Sequence, residues 1–218
     1  ADQQKFRSNG IYRGIGFVSL IEVTNPSPMF YGVGGAPIAS QDGATVRLDA
    51  AGALHISSSV TEQGQGTNAI LQQIAADVFG VDINRVKVTT GDTATVPYGG
   101  GTWASRGAGI GGEAMLLASY ALKEQVLETA AVILQQKPEN LDIAFGEVVI
   151  KESGEKKISL SDLAKIVYYR GNELPNDLRP ELIATRHYRV TDFPFVFTNG
   201  AMAAHVEVDT HTGLIKIL

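Results

Sequence analysis

The sequence predicts an α+β fold in which mixed sheets are packed by helices. Three observations carry that expectation. Strand-length apolar segments recur along the 218 residues. Two segments, Thr67 to Phe79 and Ala108 to Gln136, have a helical apolar period. Between Leu54 and Thr90 the order strand, glycine loop, helix, strand reads as a β-α-β unit.

Tyr12 to Val23 is apolar and reads as a buried strand, broken by Asn25-Pro26-Ser27-Pro28. Gly32 to Asp42, with Gly34-Gly35 and Pro37, reads as irregular. Ala44 to Asp49 and Leu54 to Val60 alternate as strands, and Asp49-Ala50-Ala51-Gly52 supplies the hairpin turn. The helix at Thr67 places Ile70, Leu71, Ile74, Ala75 and Val78 on one face. Thr67 or Asn68 is the expected cap, and Gly80 the stop. Val86 to Thr90 returns as a strand.

Ala114, Leu117, Ala118, Ala121, Leu122 and Ala130 give the second helix a small, apolar face, and Pro138 is its expected close. Ile143 to Lys151 reads as a hairpin. A short helix starts at Ser159 and runs through Tyr168, and Gly171 to Glu181 is a loop. Ala203 to Val208 and Leu214 to Leu218 form a last hairpin around Asp209 to Gly213. Both ends of the chain look cut within structure.

Composition narrows the function classes. A net charge of −5 and a pI near 5.4 argue against a nucleic-acid-binding surface, which needs a clustered basic field. The absence of cysteine excludes disulfides, thiolate metal sites and cysteine-ligated iron–sulfur clusters within this chain. No apolar run is long enough for a membrane span. Glycine is concentrated: eight of 24 fall between Gly91 and Gly112, which points to a site or a set of tight turns.

Two glycine loops, 62–67 and 99–107, each precede a helical pattern, so each clusters backbone N–H groups suited to an anionic ligand. In the first, Gln65 between Gly64 and Gly66 reads a ligand edge or faces solvent on a plain turn. In the second, Thr102 and Ser105 bring hydroxyls and Arg106 a guanidinium. The amides of Trp103 to Gly107 would converge on an oxo or oxyanion group. Trp103 stacks on a flat ligand or packs in the core, and Arg106 serves a ligand or pairs with a carboxylate such as Glu113. His205, Glu207 and Asp209 alternate on one strand face as a candidate metal patch, although an ordinary polar face is the favoured reading. No catalytic triad, Walker loop or Rossmann fingerprint is present.

Thr61-Glu62-Gln63-Gly64-Gln65-Gly66-Thr67, Gly91-Asp92-Thr93 and Pro97-Tyr98-Gly99-Gly100-Gly101-Thr102-Trp103-Ala104-Ser105-Arg106 together resemble the molybdenum-binding subunit of the xanthine dehydrogenase family. That family includes aldehyde oxidoreductases, aerobic carbon monoxide dehydrogenases and bacterial heterocycle hydroxylases. Arg13-Gly14-Ile15-Gly16 and the Val206-Glu207-Val208-Asp209 segment agree with it. The resemblance implies that residues 1–218 are part of a molybdopterin-binding domain, with Gln63, Gly64, Gln65, Gly66, Trp103, Ala104, Ser105, Arg106 and Gly107 beside the cofactor.

The implied cofactor is molybdenum–molybdopterin, in plain or cytosine dinucleotide form, held by the pterin's own sulfurs and not by a protein side chain. The implied enzyme is an oxidoreductase that hydroxylates an aldehyde or N-heterocycle with oxygen from water. Its glutamate base is expected beyond Leu218, so this chain carries no catalytic residue, and alone it is expected to be inactive. Partners implied are the rest of the molybdenum subunit and the iron–sulfur and FAD subunits or domains, in the cytoplasm or the periplasm. Around Gly34-Gly35-Ala36 some relatives carry an aromatic substrate clamp, and here the segment is small and open. Two other readings stand beside this one: a non-catalytic folded fragment or scaffold, and a domain binding a nucleotide diphosphate.

Overall fold

The computed structural model describes residues 2–28, 40–178, 180–191 and 196–218. The irregular stretch Gly32 to Asp42, including Gly34-Gly35-Ala36, lies largely outside the described residues. The chain divides into two units, residues 1–23 with 196–218, and residues 24–195.

The first unit holds α1 (Asp2–Arg7), β1 (Ile11–Thr24), β9 (Val196–Asp209) and β10 (Ile215–Ile217), in a sheet of order β1-β9-β10. The expected last hairpin is present, with Ile215 opposite Val208 and Ile217 opposite Val206. Asp209 closes its turn by accepting from His211 N at 2.8 Å, and Gly213 has φ 73°. Within this unit β1 is not the buried strand its composition suggests: Phe17 is 81% and Ile21 74% exposed. An apolar run without alternation says that a strand is to be covered, and nothing else in these residues covers it. Glu207 pairs with Arg13 at 2.6 Å, and Arg13 stacks on Phe6 at 3.9 Å. The candidate metal patch therefore loses its central carboxylate, and no cluster of three metal-ligating side chains exists among the described residues.

The second unit carries the glycine loops. Its main sheet has the order β4-β3-β2-β8, built from β2 (Gln41–Leu48), β3 (Leu54–Ser58), β4 (Val86–Thr90) and β8 (Ile183–Arg189). β2 and β3 are the antiparallel hairpin, Val46 opposite Ile56. Asp49 Oδ1 accepts from Ala51 N and Ala53 N at 2.9 Å each, which closes the turn that the Asp-Ala-Ala-Gly run predicts. β3 and β4 are parallel, Leu54 opposite Val86 and Ser58 opposite Thr90, so the β-α-β reading holds. β2 pairs antiparallel with β8 on its other side.

The crossover helix α2 (Thr67–Phe79) has the predicted bounds, and Gly80 ends it at φ 56°. Its cap differs from expectation. Gly66 occupies the cap position at φ 87° and neither Thr67 nor Asn68 closes the helix. Glu62 does so instead, as described below.

The long helical pattern divides in two. Residues Gly107–Gly111 form one π-turn, and the α-helix α3 runs from Gly112 to Leu134. The wide turn follows from close approach: a Cβ on Gly109 would stand 1.8 Å from Asn25 Oδ1, and one on Gly111 2.7 Å from Val60. The glycine excess in this stretch thus serves packing as well as turns. The helix stops on Gln135, left-handed at φ 52°, before Pro138 is reached.

The buried faces meet in one core. Val46, Leu48, Leu54 and Ile56 from the hairpin face Leu71, Ala75 and Phe79 of α2 and Met115, Ala118, Leu122 and Val126 of α3. Alanines along α3 let the two helices and the sheet approach closely. A second antiparallel sheet, β5 (Leu141–Ala144), β6 (Glu147–Ile150) and β7 (Lys156–Ser159), joins that core with α4 (Leu160–Tyr169). Ser159 caps α4 by accepting from Asp162 N.

Candidate functional site

The two glycine loops stand side by side. Thr102 Oγ1 accepts from Thr61 N at 2.7 Å and donates to Thr61 O at 2.9 Å. Gln63 Nε2 donates to Thr102 O at 3.1 Å. Residues separated by about forty positions are thus joined by three hydrogen bonds, two through one hydroxyl.

Within the first loop most donors already have partners. The Glu62 carboxylate accepts from Gly64 N at 2.8 Å, Gly66 N at 3.0 Å and Asn68 N at 2.9 Å. The Asn68 and Gly66 N–H groups hold the Glu62 carboxyl below the usual carboxylate range. Gln65 folds over its own loop, donating to Thr61 O at 3.1 Å and Thr67 Oγ1 at 2.8 Å and accepting from Gln63 N at 2.6 Å. The N–H cluster expected to face a ligand is therefore partly satisfied by a carboxylate five positions before the first residue of α2. Gly64 has φ 97°, and no atom lies within 4 Å of a Cβ position at Gly64, Gly66 or Gly101. Glycine is required here by conformation, and it leaves open space above the backbone.

The second loop is anchored from below. Arg106 is fully buried, and its Nε donates to Asp42 Oδ2 at 3.0 Å while its Nη2 reaches the same oxygen and Gln41 O. Asp42 Oδ1 accepts from Ser59 Oγ at 2.8 Å and Gly101 N at 3.3 Å. Ser59 Oγ in turn accepts from Gly43 N at 2.9 Å. Each lone pair of the buried carboxylate thus has a donor, which is what a charge at this depth requires. Gly99 sits against this network: a Cβ there would fall 2.1 Å from Ser59 Oγ and 2.5 Å from Asp42 Oδ1.

Arg106 accordingly pairs with Asp42 and not with Glu113, which is exposed. Trp103 is half-buried, with Nε1 donating to Gly100 O at 3.1 Å and the Arg106 guanidinium carbon 5.6 Å from its ring centre. Ala104 and Ser105 both take positive φ, 48° and 51°, and Arg106 returns to the right-handed region. Two adjacent non-glycine residues in that conformation cost about 1–2 kcal/mol each. They persist because Arg106 N donates to Trp103 O at 3.3 Å and the guanidinium is locked in place. A change of hand at Ser105–Arg106 turns successive N–H groups to one side, the geometry of an anion-binding concavity.

Of the sequence-predicted residues, Gln63, Gly64, Gln65 and Gly66 share one loop and Trp103, Ala104, Ser105, Arg106 and Gly107 the next, and the hydrogen bonds above bring the two together. Arg106 and Gly107 are buried beneath the surface that the others form. Sequence reasoning missed Glu62 as the internal acceptor and Asp42 and Ser59 as the floor. The Glu62-to-Asn68 spacing ahead of a helix was the available signal for the first. Asp42 carries no local signal, because its partner lies 64 positions away.

The family described as the molybdopterin cofactor-binding domain matches residues 1–218. The chain is 33% identical to the nicotine 6-hydroxylase large subunit of Paenarthrobacter nicotinovorans over 215 residues, which are 99% of this chain and 26% of that protein. It is 32% identical to the xanthine dehydrogenase molybdenum-binding subunit of Escherichia coli O157:H7 over 173 residues, covering 77% of this chain and 22% of the relative. The crystal structure of quinoline 2-oxidoreductase from Pseudomonas putida 86 superimposes with a TM-score of 0.76 at 32% identity, over 99% of this chain and 27% of that one. The chain therefore spans about a quarter of the length of these relatives. Paired glycine loops on a β-α-β floor, and similarity that runs from end to end, have one explanation: the chain belongs to the molybdopterin cofactor-binding domain family.

Proposed function

We propose that residues 1–218 are one part of the cofactor-binding domain of a molybdenum hydroxylase, acting on an aldehyde or an N-heterocycle. The observation that carries the reading is the coupling of loops 62–67 and 99–107 through Thr61, Gln63 and Thr102, with open backbone at Gly64, Gly66 and Gly101. A flat, phosphate-bearing pterin needs close backbone approach and dispersed hydrogen-bond partners, and this surface supplies both. When bound, the cofactor supplies the two-electron oxidation, with oxygen taken from water.

The protein's part is to hold and orient. Gln63, Gly64, Gln65 and Gly66 would line one side, and Trp103, Ala104 and Ser105 the other. Trp103 is half-buried there and Ser105 is exposed. Arg106 and Gly107 would act from beneath, by keeping the second loop in its strained conformation. The cofactor would be molybdopterin in its plain or cytosine dinucleotide form, and iron–sulfur and FAD partners would accept the electrons.

The test is cofactor content. The full-length protein, purified from a host that makes molybdopterin, should release a fluorescent oxidised pterin and hold about one molybdenum per chain. Gln65→Ala combined with Ser105→Ala should lower both with the fold intact by circular dichroism. Protein that binds a nucleotide diphosphate in calorimetry and no pterin would favour the nucleotide reading, and protein that binds neither would favour a scaffold.

A further inference from the structure

We infer that Glu62 is a positioning residue: it fills the N-terminus of α2 in place of a cofactor anion, and so presents the side-chain amides of Gln63 and Gln65 as the gripping groups of the first loop. The inference rests on the cofactor-binding reading above and names what that reading leaves open, namely which groups of this loop are available to a ligand.

The argument starts from the helix end. The first turn of any α-helix leaves N–H groups without intrahelical partners, and the helix dipole favours an anion there. In glycine-loop sites that anion is commonly a ligand phosphate. Here a side chain already reaches that end: Glu62 takes Asn68 N of the first turn and Gly66 N at the cap. Glu62 Oε1 receives Gly64 N and Gly66 N, and Oε2 receives Asn68 N, at 2.8–3.0 Å. Both carboxylate oxygens are engaged, and a ligand phosphate would have to displace a covalently tethered charge from three donors.

The same contacts set the loop's shape. Gly64 at φ 97° and Gly66 at φ 87° are two left-handed turns in three residues, a conformation with high entropic cost unless something ties it. Glu62 ties both glycine N–H groups with one oxygen. Gln65, held between them, is turned to reach Thr61 O and Thr67 Oγ1, and Gln63 reaches across to Thr102 O. These glutamine contacts are neutral, and a ligand can exchange for them at little cost. The Glu62 contacts involve an ionised acceptor and are of the stronger kind. The loop thus has a fixed half and an exchangeable half.

A glutamine at position 62 separates shape from charge. It keeps one acceptor oxygen, sufficient for Gly64 and Gly66, but presents an NH2 group to Asn68 N, which is itself a donor. The experiment combines backbone amide hydrogen exchange with pterin and molybdenum content in the full-length holoprotein, comparing wild type, Glu62→Gln and Glu62→Ala. Glu62→Gln should speed exchange at Asn68 while Gly64 and Gly66 stay protected, and should retain part of the cofactor. Glu62→Ala should speed exchange at all three and lower cofactor content about tenfold or more, as loss of a supporting partner typically does. Unchanged exchange at Asn68 in Glu62→Gln would overturn the geometry. Raised exchange with wild-type cofactor content in both variants would overturn the positioning role and leave the cofactor reading standing. A wild type that holds no pterin would overturn both.

Discussion

Thr102 Oγ1 closes a reciprocal bridge with the backbone of Thr61, accepting from its N–H at 2.7 Å and donating to its carbonyl at 2.9 Å. One hydroxyl therefore serves as the hinge pin between two loops that are remote in sequence. Thr102→Val keeps the shape and removes both bonds. It should cost about 1–3 kcal/mol, since a donor and an acceptor lose their partner, whereas Thr102→Ser should cost less. Denaturant unfolding measures the first effect, and faster proteolysis at residues 99–107 would report the loosened loop.

The buried pair Asp42–Arg106 predicts strong non-additivity. Asp42→Ala leaves a guanidinium without its counter-charge at zero exposure and should destabilise by about 3–5 kcal/mol. Arg106→Met should cost a similar amount. The double variant Asp42→Ala, Arg106→Met should be less damaged than the sum of the two single losses, because no lone charge remains. Arg106→Lys should not rescue, for an ammonium cannot reach Asp42 Oδ2 and Gln41 O from one planar group. A chevron or equilibrium cycle over wild type, Asp42→Ala, Arg106→Met and their double variant gives the coupling energy directly.

Gly99 and Gly101 are close in sequence and should respond to alanine for different reasons. At Gly99 the added Cβ meets Ser59 Oγ and Asp42 Oδ1 in the buried network, and overpacking there should cost about 3 kcal/mol or more. At Gly101 the space is open and only φ 76° resists, which costs about 1–2 kcal/mol. Denaturation midpoints should rank wild type first, Gly101→Ala second and Gly99→Ala last. A Gly99→Ala protein as stable as Gly101→Ala would show that the floor is looser than described.

Acid should weaken the β2–β3 hairpin. Burial raises the Asp49 carboxyl, but the Ala53 and Ala51 N–H groups and His55 outweigh it, and the net shift is downward. A carboxyl lowered in the folded state contributes stability that is present above its unfolded value and is lost as pH falls through the folded one. The loss should therefore begin near pH 4, the ordinary carboxylate range. Asp49→Asn should flatten that part of the stability curve, and Asp142, lowered by Lys123 and Ile143 against its burial, should add to the remaining slope. Thermal unfolding across pH 3–6 for both proteins checks the sign.

What could be read from the chain alone follows from how local each signal is. The span of α2 was legible because its apolar period and the Gly80 stop are local signals, while its cap was misplaced on Thr67 or Asn68. The β-α-β unit was legible for the same reason. β8 was not, since Ile183-Ala184-Thr185-Arg186-His187-Tyr188-Arg189 buries only Ala184 and alternates little, and its existence depends on backbone pairing with β2. The π-turn at 107–111 was hidden because Gly109 and Gly111 answer to Asn25 and Val60, which no period reveals. At the site, the loops were visible and their anchors were not. Asp42 sits at the edge of an irregular stretch, and only the fold brings Arg106 to it. The exposed face of β1 was misread for a related cause: an apolar run states what must be covered but not by which segment.

The pairing of β2 with β8 has a bearing on biosynthesis. Thr45 bonds Thr185 at a sequence separation of 140, while β2, β3, α2 and β4 follow one another closely. Contacts so distant are slow to form, and the closely spaced elements have a head start. On a ribosome the hairpin and its helix can collapse early, but the strand that begins with Gln41 and Asp42 keeps a raw edge until Arg189 has left the exit tunnel. During that interval the ledge on which Arg106 will rest is half built, so the footing of the second glycine loop is completed by the late arrival of a strand that touches it through His187 and Tyr98 O.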